Sequence, residues 1–272
     1  AAARAGRRVE RVVVTVMDQP VGLAQLVGRT ALGGRIGAWS ALGGPVWLPG
    51  VTAATATAAL VALKRRFAGP GHVLVVTPGP TPPALAASLD EAGLRRVMTG
   101  YTTALLPIEA DAAAQDARLQ PSWRHLIRRG PRPELTIDVL KPAAAPLALA
   151  EALARHEAMR RRRGFQAVAD SLVAHAAKHG DARLVRGHVD GELCAFVLLL
   201  RHGAAATYQC GWTDAVGRRL AAHRHLLWTG LASLRREGTR LLDLGGLNVP
   251  DGIAAFKLGS GAQPVTLAGS FL

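Results

Sequence analysis

The chain has 272 residues, 49% of them hydrophobic, with 33 Lys and Arg against 19 Asp and Glu and a formal net charge of +14. That length holds one large domain or two ordinary ones with ample core, and the charge selects polyanions such as RNA, nucleotide diphosphates or anionic lipid as partners, although an Ala-, Arg- and Gly-rich composition accounts for part of it. No apolar run reaches the 18 residues of a membrane-spanning helix, and the N-terminal AAARAGRRVER lacks the apolar core of a secretory signal. Cys194 and Cys210 sit in apolar, strand-like runs without a CxxC pair. They read as buried, reduced thiols of a cytosolic protein. His175 and His179 are four apart on a predicted helix, but no HExxH surrounds them, so no metal is expected.

In chain order, Val9–Met17 and Val21–Thr30 read as strands about a turn at Asp18. A strand follows at Arg35–Ala41, then a turn at Gly43-Gly44-Pro45. Next come a helix over Thr55–Phe67 and a strand at Val73–Thr77. Ala84–Ala92 reads as a helix opened by Pro82 and Pro83, and Val97–Pro107 as one strand. Helices are expected over Ala112–Arg118 and Ser122–Arg129, the latter with Ser122 as N-cap. After a strand at Leu135–Leu140, prolines 142 and 146 open a long helix to Arg163. On it Glu151/Arg155 and Glu157/Arg161 stand at i,i+4.

The second half repeats the first. Strands at Arg183–Val189 and Leu193–Arg201 flank Asp190-Gly191, then come a strand at Ala204–Gly211, a helix over His223–Glu237 and a strand at Leu241–Leu244. Leu60-x-x-Leu63 aligns with Leu231-x-x-Leu234. A duplicated α/β unit is the simplest reading, with a boundary at Leu140–Pro146: domains over 1–142 and 143–272. Because the chain begins without Met, the first domain is expected to be incomplete at its N-terminus.

The last thirty residues carry the densest signal. The strand Leu241–Leu244 holds Asp243 and stops at Gly245-Gly246. A loop with Asn248, Pro250, Asp251 and Gly252 follows, then Phe256-Lys257, Gly261 and a last strand near Pro264–Ala268. Glycine lets a ligand approach the backbone, and lysine is a mobile point charge. An exposed lysine on an ordinary loop is the bland alternative.

Asp243-Leu-Gly-Gly, Phe256-Lys257 and Gly261 together resemble the C-terminal signature of the Fem-type aminoacyltransferases, which are built from two GNAT-like domains. Trp123–Gly130 is similar to that family's tryptophan/arginine helix, with Gly130 where the family has alanine. His156–Phe165 is similar to its arginine-glycine-aromatic segment, with Met159 near the usual threonine. Tyr208-Gln-Cys-Gly211 is similar to its tyrosine strand. The matches fall in order across residues 120–272. The coiled-coil arm that some members insert has no counterpart here.

The resemblance implies an α/β fold of two tandem GNAT-like domains, the first non-catalytic, the second with the donor channel. It implies an enzyme forming an amide bond in peptidoglycan biosynthesis. Its donor is aminoacyl-tRNA, its acceptor a diphosphate-bearing cell-wall precursor, and transient contact with an anionic membrane surface is compatible. No prosthetic group is required, because proximity and charge stabilisation carry such a transfer.

Lys257 is the candidate for stabilising charge on the acyl oxygen or holding donor phosphate. Phe256 either stacks on the donor's terminal base or fills the core. Tyr208 either orients the incoming amine or is a core tyrosine. Arg162, in the run Arg160–Arg163, is the expected diphosphate clamp, against a solvated basic face. Arg124 and Arg128 are further acceptor contacts. Asp243 reads as a packing acid rather than a base.

Two other functions stand. A coenzyme-A-dependent GNAT enzyme would cradle pyrophosphate on a glycine-rich loop opening a helix. The equivalent Gly217–His223, with Arg218 and Arg219 as donor contacts, has Ala221 in place of glycine, which disfavours that donor. The third reading is a catalytically silent protein that binds tRNA or anionic precursors.

Overall fold

The computed structural model describes residues 7–80, 83–165, 168 and 170–272. The first six residues and Pro82 lie outside the described residues. The elements run β1 (Arg8–Val16), β2 (Gln19–Ala31), β3 (Ile36–Leu42), β4 (Val46–Trp47), α1 (Ala53–Phe67), β5 (His72–Thr77), α2 (Pro83–Glu91), β6 (Arg96–Met98) and β7 (Thr102–Pro107). There follow α3 (Ala112–Arg118), α4 (Pro121–Arg129), β8 (Thr136–Leu140), α5 (Pro146–Arg163), α6 (Asp170–His179), β9 (Asp181–Val189), β10 (Glu192–His202) and β11 (Ala205–Thr213). Last come α7 (Ala215–Arg219), α8 (Ala222–Arg236), β12 (Leu241–Gly246), α9 (Asp251–Gly259), β13 (Gln263–Thr266) and β14 (Ser270–Phe271).

Two sheets form, in the orders β1-β2-β3-β5-β14-β6, with β4 beside β2, and β13-β7-β12-β11-β10-β9-β8. The repeat expected from the sequence is real at the level of topology. In the first sheet β1-β2-β3 is antiparallel and β3 pairs β5 in parallel across α1. In the second, β9-β10-β11 is antiparallel and β11 pairs β12 in parallel across α8. Both opening hairpins turn on left-handed residues, Met17 and Asp18 in one, Asp190 and Gly191 in the other. That turn matches the twist of the strands it joins. Leu60, Leu63 and Phe67 on α1 are buried, as are Leu227, Leu231 and Leu234 on α8. Each helix therefore covers one face of its own sheet.

The units divide at a different place from the one the prolines suggested. One comprises the chain up to Thr102 together with Val265–Leu272; the other is Thr103–Pro264. Prolines 142 and 146 do not separate domains: they frame a 3₁₀ turn at Pro142–Ala144 and the first turn of α5, inside the second unit. The single strand expected over Val97–Pro107 is two, β6 in one sheet and β7 in the other. The chain changes sheet at Gly100, where a Cβ would overlap the carbonyl oxygen of Leu267. A helix start was also misplaced: α4 begins with Pro121 at its first position and Gln120 as N-cap, not Ser122.

Several arginines are consumed by the fold. Arg183, 5% exposed, donates to Asp181 at 2.6 Å and to Glu237 at 2.8 Å. Arg201 joins the same pair of carboxylates, and Arg186 holds Asp138 across β9 and β8. Cys194 and Cys210 are both buried, as their apolar context required. Among the described residues no helix is long and apolar enough to cross a membrane.

The C-terminal strand is integral to the first unit. Phe271 is buried among Leu74, Val76 and Leu94, and Arg95 and Leu272 exchange two backbone hydrogen bonds of 2.8 Å. Phe271→Ala should cost about 3–5 kcal/mol, the usual loss for a buried phenylalanine. Equilibrium urea unfolding measures it; a loss below about 1 kcal/mol would show that β14 contributes little to that core.

Candidate active site

The second sheet is split. β11 and β12 pair only at Ala205↔Leu241, Ala206↔Leu242 and Thr207↔Asp243. Beyond Thr207 they share no ladder. Two local features accompany the parting. In β11, Leu198 opposes Cys210 and Leu199 opposes Tyr208, so Gln209 is an extra, bulged residue. In β12, Asp243 folds the strand end back: its Oδ1 accepts from Thr103 Oγ1 at 2.5 Å and from the Gly245 amide at 2.8 Å, with Gly245 at φ 79°. Asp243 thus holds the turn. The corresponding strands of the first unit stay zipped through six pairs, Gly37↔His72 to Leu42↔Thr77.

A cavity of about 1270 Å³ fills the opening. The free edge of β11 from Tyr208 to Thr213 forms one wall. Leu244, Gly245 and one side of α9 form another. Gly217 and Arg218 of α7 and the start of α8 close one end, and the C-terminal turns of α5 close the other. The ionisable side chains lining it are His156, Arg163, Tyr208, Cys210, Arg218, His223, Arg224 and Lys257, with no carboxylate among the described lining residues.

Phe256 and Lys257, which the sequence reading assigned to no element, lie on α9, so the bland alternative of an exposed loop lysine does not hold. Pro250 fixes the entry to this short helix, and the helix turns Lys257 inward. Lys257 is 9% exposed and its Nζ donates to the Gly246 carbonyl at 2.6 Å. Burial lowers its pKa, while the nearby Asp243 carboxylate acts the other way. One N–H is committed to Gly246; the ammonium has two more. Phe256 packs between Trp123 of α4, 5.2 Å between ring centroids, and His223 of α8, 5.5 Å and edge-on. It therefore packs on the core and lines the cavity at once.

Tyr208 points along β11 and its hydroxyl meets His223 Nε2 at 2.7 Å. The pair needs Gly211. A Cβ there would overlap the Tyr208 hydroxyl, lie 2.7 Å from His223 Nε2 and 2.9 Å from the Phe196 carbonyl. That is the physical content of the Tyr208–Gly211 spacing. Burial raises the tyrosine pKa, with Cys210 adding to it, and lowers that of His223 to about 4. Both side chains are neutral at pH 7. His223 was read only as the first residue of a helix; its place in the first turn after the Gly217 loop was the available signal.

The arginines sort differently from expectation. Arg162 is exposed and does not line the cavity; Arg163 does, on the α5 face that also carries His156 and Met159. Arg160 and Arg161 grip Glu157 and hold its carboxyl down at about 2. Arg124 donates to the carbonyls of Asp116, Ala117 and Leu119 at the end of α3, and Arg128 donates to the Asp116 carboxylate at 2.6 Å. Neither lines the cavity, because each is used in fastening α3 to α4. Arg218 lines it, tethered to the Thr213 carbonyl at 3.0 Å; Arg219 is exposed outside it.

The loop weighed as a pyrophosphate cradle is a helical turn. Asp214 caps it, accepting from the Gly217 amide at 2.7 Å. The amides of Arg218, Leu220 and Ala221 bond to Asp214, Val216 and Arg218 carbonyls. Ala221 takes φ 51°, the conformation glycine would occupy more easily.

Residues 114–258 match the acetyltransferase (GNAT) domain family. The match spans more than half of the chain, and the chain belongs to that family. No curated protein matches it by sequence. Among solved structures, FemX is similar with a TM-score of 0.80 at 16% identity, over 99% of this chain and 88% of that one. The C-terminal domain of a putative lysylphosphatidylglycerol synthetase from Agrobacterium fabrum gives 0.59 at 18% identity, over 90% and 79%. A tandem GNAT protein from the clavulanic acid biosynthesis pathway gives 0.51 at 14% identity, over 97% and 82%. The fold is thus the Fem-type, tandem GNAT-like α/β fold, and the chain is an acyltransferase by family.

The buried neutral histidine has a thermodynamic consequence. With a folded pKa of about 4 against an ordinary value of 6.5, His223 leaves the unfolded chain binding more protons between those values. Its stabilising term is complete above pH 6.5 and is lost as pH falls towards 4, about 1.4 kcal/mol per pH unit at most. His225, whose pKa burial also lowers, acts in the same sense. Unfolding free energies measured from pH 4 to 7 should therefore rise less steeply in His223→Gln than in the natural chain. Parallel profiles would show that His223 is not buried as a neutral group.

Proposed function

We propose that this protein is a cytosolic aminoacyltransferase that moves an aminoacyl group from tRNA to the amine of a diphosphate-bearing peptidoglycan precursor, at or near an anionic membrane surface. The observation that carries the reading is Lys257, a buried ammonium placed where β11 and β12 part. In such a transfer the amine nitrogen attacks the ester carbonyl carbon and the carbonyl oxygen becomes an oxyanion. The remaining N–H groups of Lys257, a side chain that is itself largely buried, are suited to that charge. The carbon–oxygen bond to the ribose then breaks, and the proton lost by the amine ends on the ribose oxygen. Phe256 offers a ring to the terminal base. Arg163 takes the place expected of Arg162 as the anion contact, because it is the member of the run that faces the cavity.

The α7 turn favours this donor over coenzyme A. A pyrophosphate needs backbone amides pointing at it, and here the amides of Gly217, Arg218, Leu220 and Ala221 are already bonded, with the Asp214 carboxylate at the cap. Coenzyme-A binding would have to displace those bonds against a like charge. The zipped first sheet supports a non-catalytic role for the first unit, since nothing opens there between β3 and β5.

Aminoacylated tRNA should shift in a native gel with the protein, and the affinity should fall steeply with salt, as several phosphate contacts require. Salt-insensitive retention of acetyl-coenzyme A without any tRNA shift would overturn the donor assignment. Turnover tests the lysine. Lys257→Met keeps most of the apolar stem and should lower kcat by roughly 10²–10³-fold, the scale of one oxyanion donor, with little change in Tm. Lys257→Arg should rescue poorly, because the planar guanidinium is wider. Near-normal kcat in Lys257→Met would remove the lysine from the reaction.

A further inference from the structure

The neutral pair at the foot of the cavity has a direction, and that direction decides what Tyr208 can do. The hydroxyl and His223 Nε2 are 2.7 Å apart. A phenol O–H is a better donor than an imidazole N–H, and an imidazole nitrogen lone pair a better acceptor than a phenol oxygen. Those strengths favour O–H···N, which puts the histidine proton on Nδ1. Burial opposes a second proton on His223. The charged groups that line the same cavity are Lys257 on α9, Arg163 on α5, Arg218 on α7 and Arg224 on α8 itself, while Asp243 is committed to Thr103 and Gly245. Phe256 packs edge-on against the ring and fixes its plane.

We propose that His223 is a positioning residue that holds the Tyr208 proton away from the substrate, so that Tyr208 presents its oxygen lone pairs to the incoming amine. The consequence is chemical. A free phenol would turn its O–H towards the amine and donate to the nitrogen lone pair, which is the nucleophile. With its proton held by His223, the same oxygen instead accepts an N–H of the amine and leaves that lone pair free to form the C–N bond. The amine's proton departs with the ribose oxygen and no proton remains on the protein. Gly211 is the third part of the device, since any side chain there would drive the two rings apart. The role in turnover rests on the aminoacyl-transfer reading above; the direction of the hydrogen bond does not.

Two measurements on the full chain separate these. Nitrogen-15 spectra of the histidine rings at pH 7 should show His223 protonated on Nδ1, with the Nε2 signal moving in Tyr208→Phe. Protonation on Nε2 overturns the proposal whether or not the protein transfers anything. Kinetics then test the role, with seryl- or alanyl-tRNA and a diphosphate-linked muropeptide as the probe pair. His223→Leu and Tyr208→Phe should each lower kcat by roughly 10- to 10²-fold, the cost of a misplaced reactant. The double variant should be no slower than either alone, because the two act as one unit. His223→Gln, whose amide oxygen also accepts from the phenol, should recover most of the rate. If His223→Leu is unstable, the glutamine variant and Tyr208→Phe still decide. Additive losses, or a glutamine variant as slow as Tyr208→Phe, would overturn the positioning role. Wild-type inactivity with this pair would count against the proposed reaction, and the ring spectra would still decide the bond.

Discussion

The site depends on three missing ladder steps. Two parallel strands that could have stayed paired to their ends separate after Thr207 and Asp243. An unpaired strand edge in a protein interior is costly unless its polar groups are reused or left facing a cavity. Here β11 takes up one residue in the bulge at Gln209, and β12 ends in a turn tied by Asp243. The ammonium of Lys257, the Tyr208–His223 pair and the unshared edge of β11 line the resulting gap. The first unit has the same topology without the gap, and correspondingly its core cluster runs unbroken from Ala24 and Leu26 to Leu74 and Val76.

Packed rings support the cavity from outside, alongside the hydrogen bonds of its walls. Trp123, 1% exposed, is the anchor: it touches Phe256 with its ring and lies under Arg224, whose guanidinium stands 5.5 Å above it. Phe256 passes that support to His223, and His223 to Tyr208. A chain of four rings thus connects α4, α9, α8 and β11. The matched segments at Trp123, Tyr208 and Phe256-Lys257, far apart in the sequence, are parts of this one assembly.

Two groups of cations stand apart within the large positive charge. Arg183, Arg201, Arg186, Arg124 and Arg128 are spent on carboxylates and carbonyls of the fold. Arg163, Arg218 and Arg224 line the cavity together with Lys257, and the described lining has no acid to offset them. The net charge of the chain states only that anions are attracted. The division between structural and cavity-facing arginines determines where.

What the sequence by itself determined was local. The alternation of β-branched residues, the left-handed turn residues at Asp18 and Asp190-Gly191, and the leucine faces of α1 and α8 are encoded within a few residues of one another. Strands, hairpins and the duplicated unit were legible for that reason. The motifs around Trp123, Tyr208 and Phe256-Lys257 were legible because each is contiguous. What only the tertiary structure decided depends on residues distant in the chain. The change of sheet at Gly100 is set by the backbone of Leu267, and the place of β14 by β5 and β6, neither of which a local window contains. Helix α9 was not foreseen, and its start was read as a loop, because Pro250 and Gly252 mask a nine-residue helix that packs on Trp123. Arg162 and Arg163 are equivalent as letters; the helix phase, 156, 159, 163, and the cavity on that side separate them. His223 was invisible as a site residue because its partner lies fifteen residues away, and only the bulged, parted strand β11 brings the two rings together.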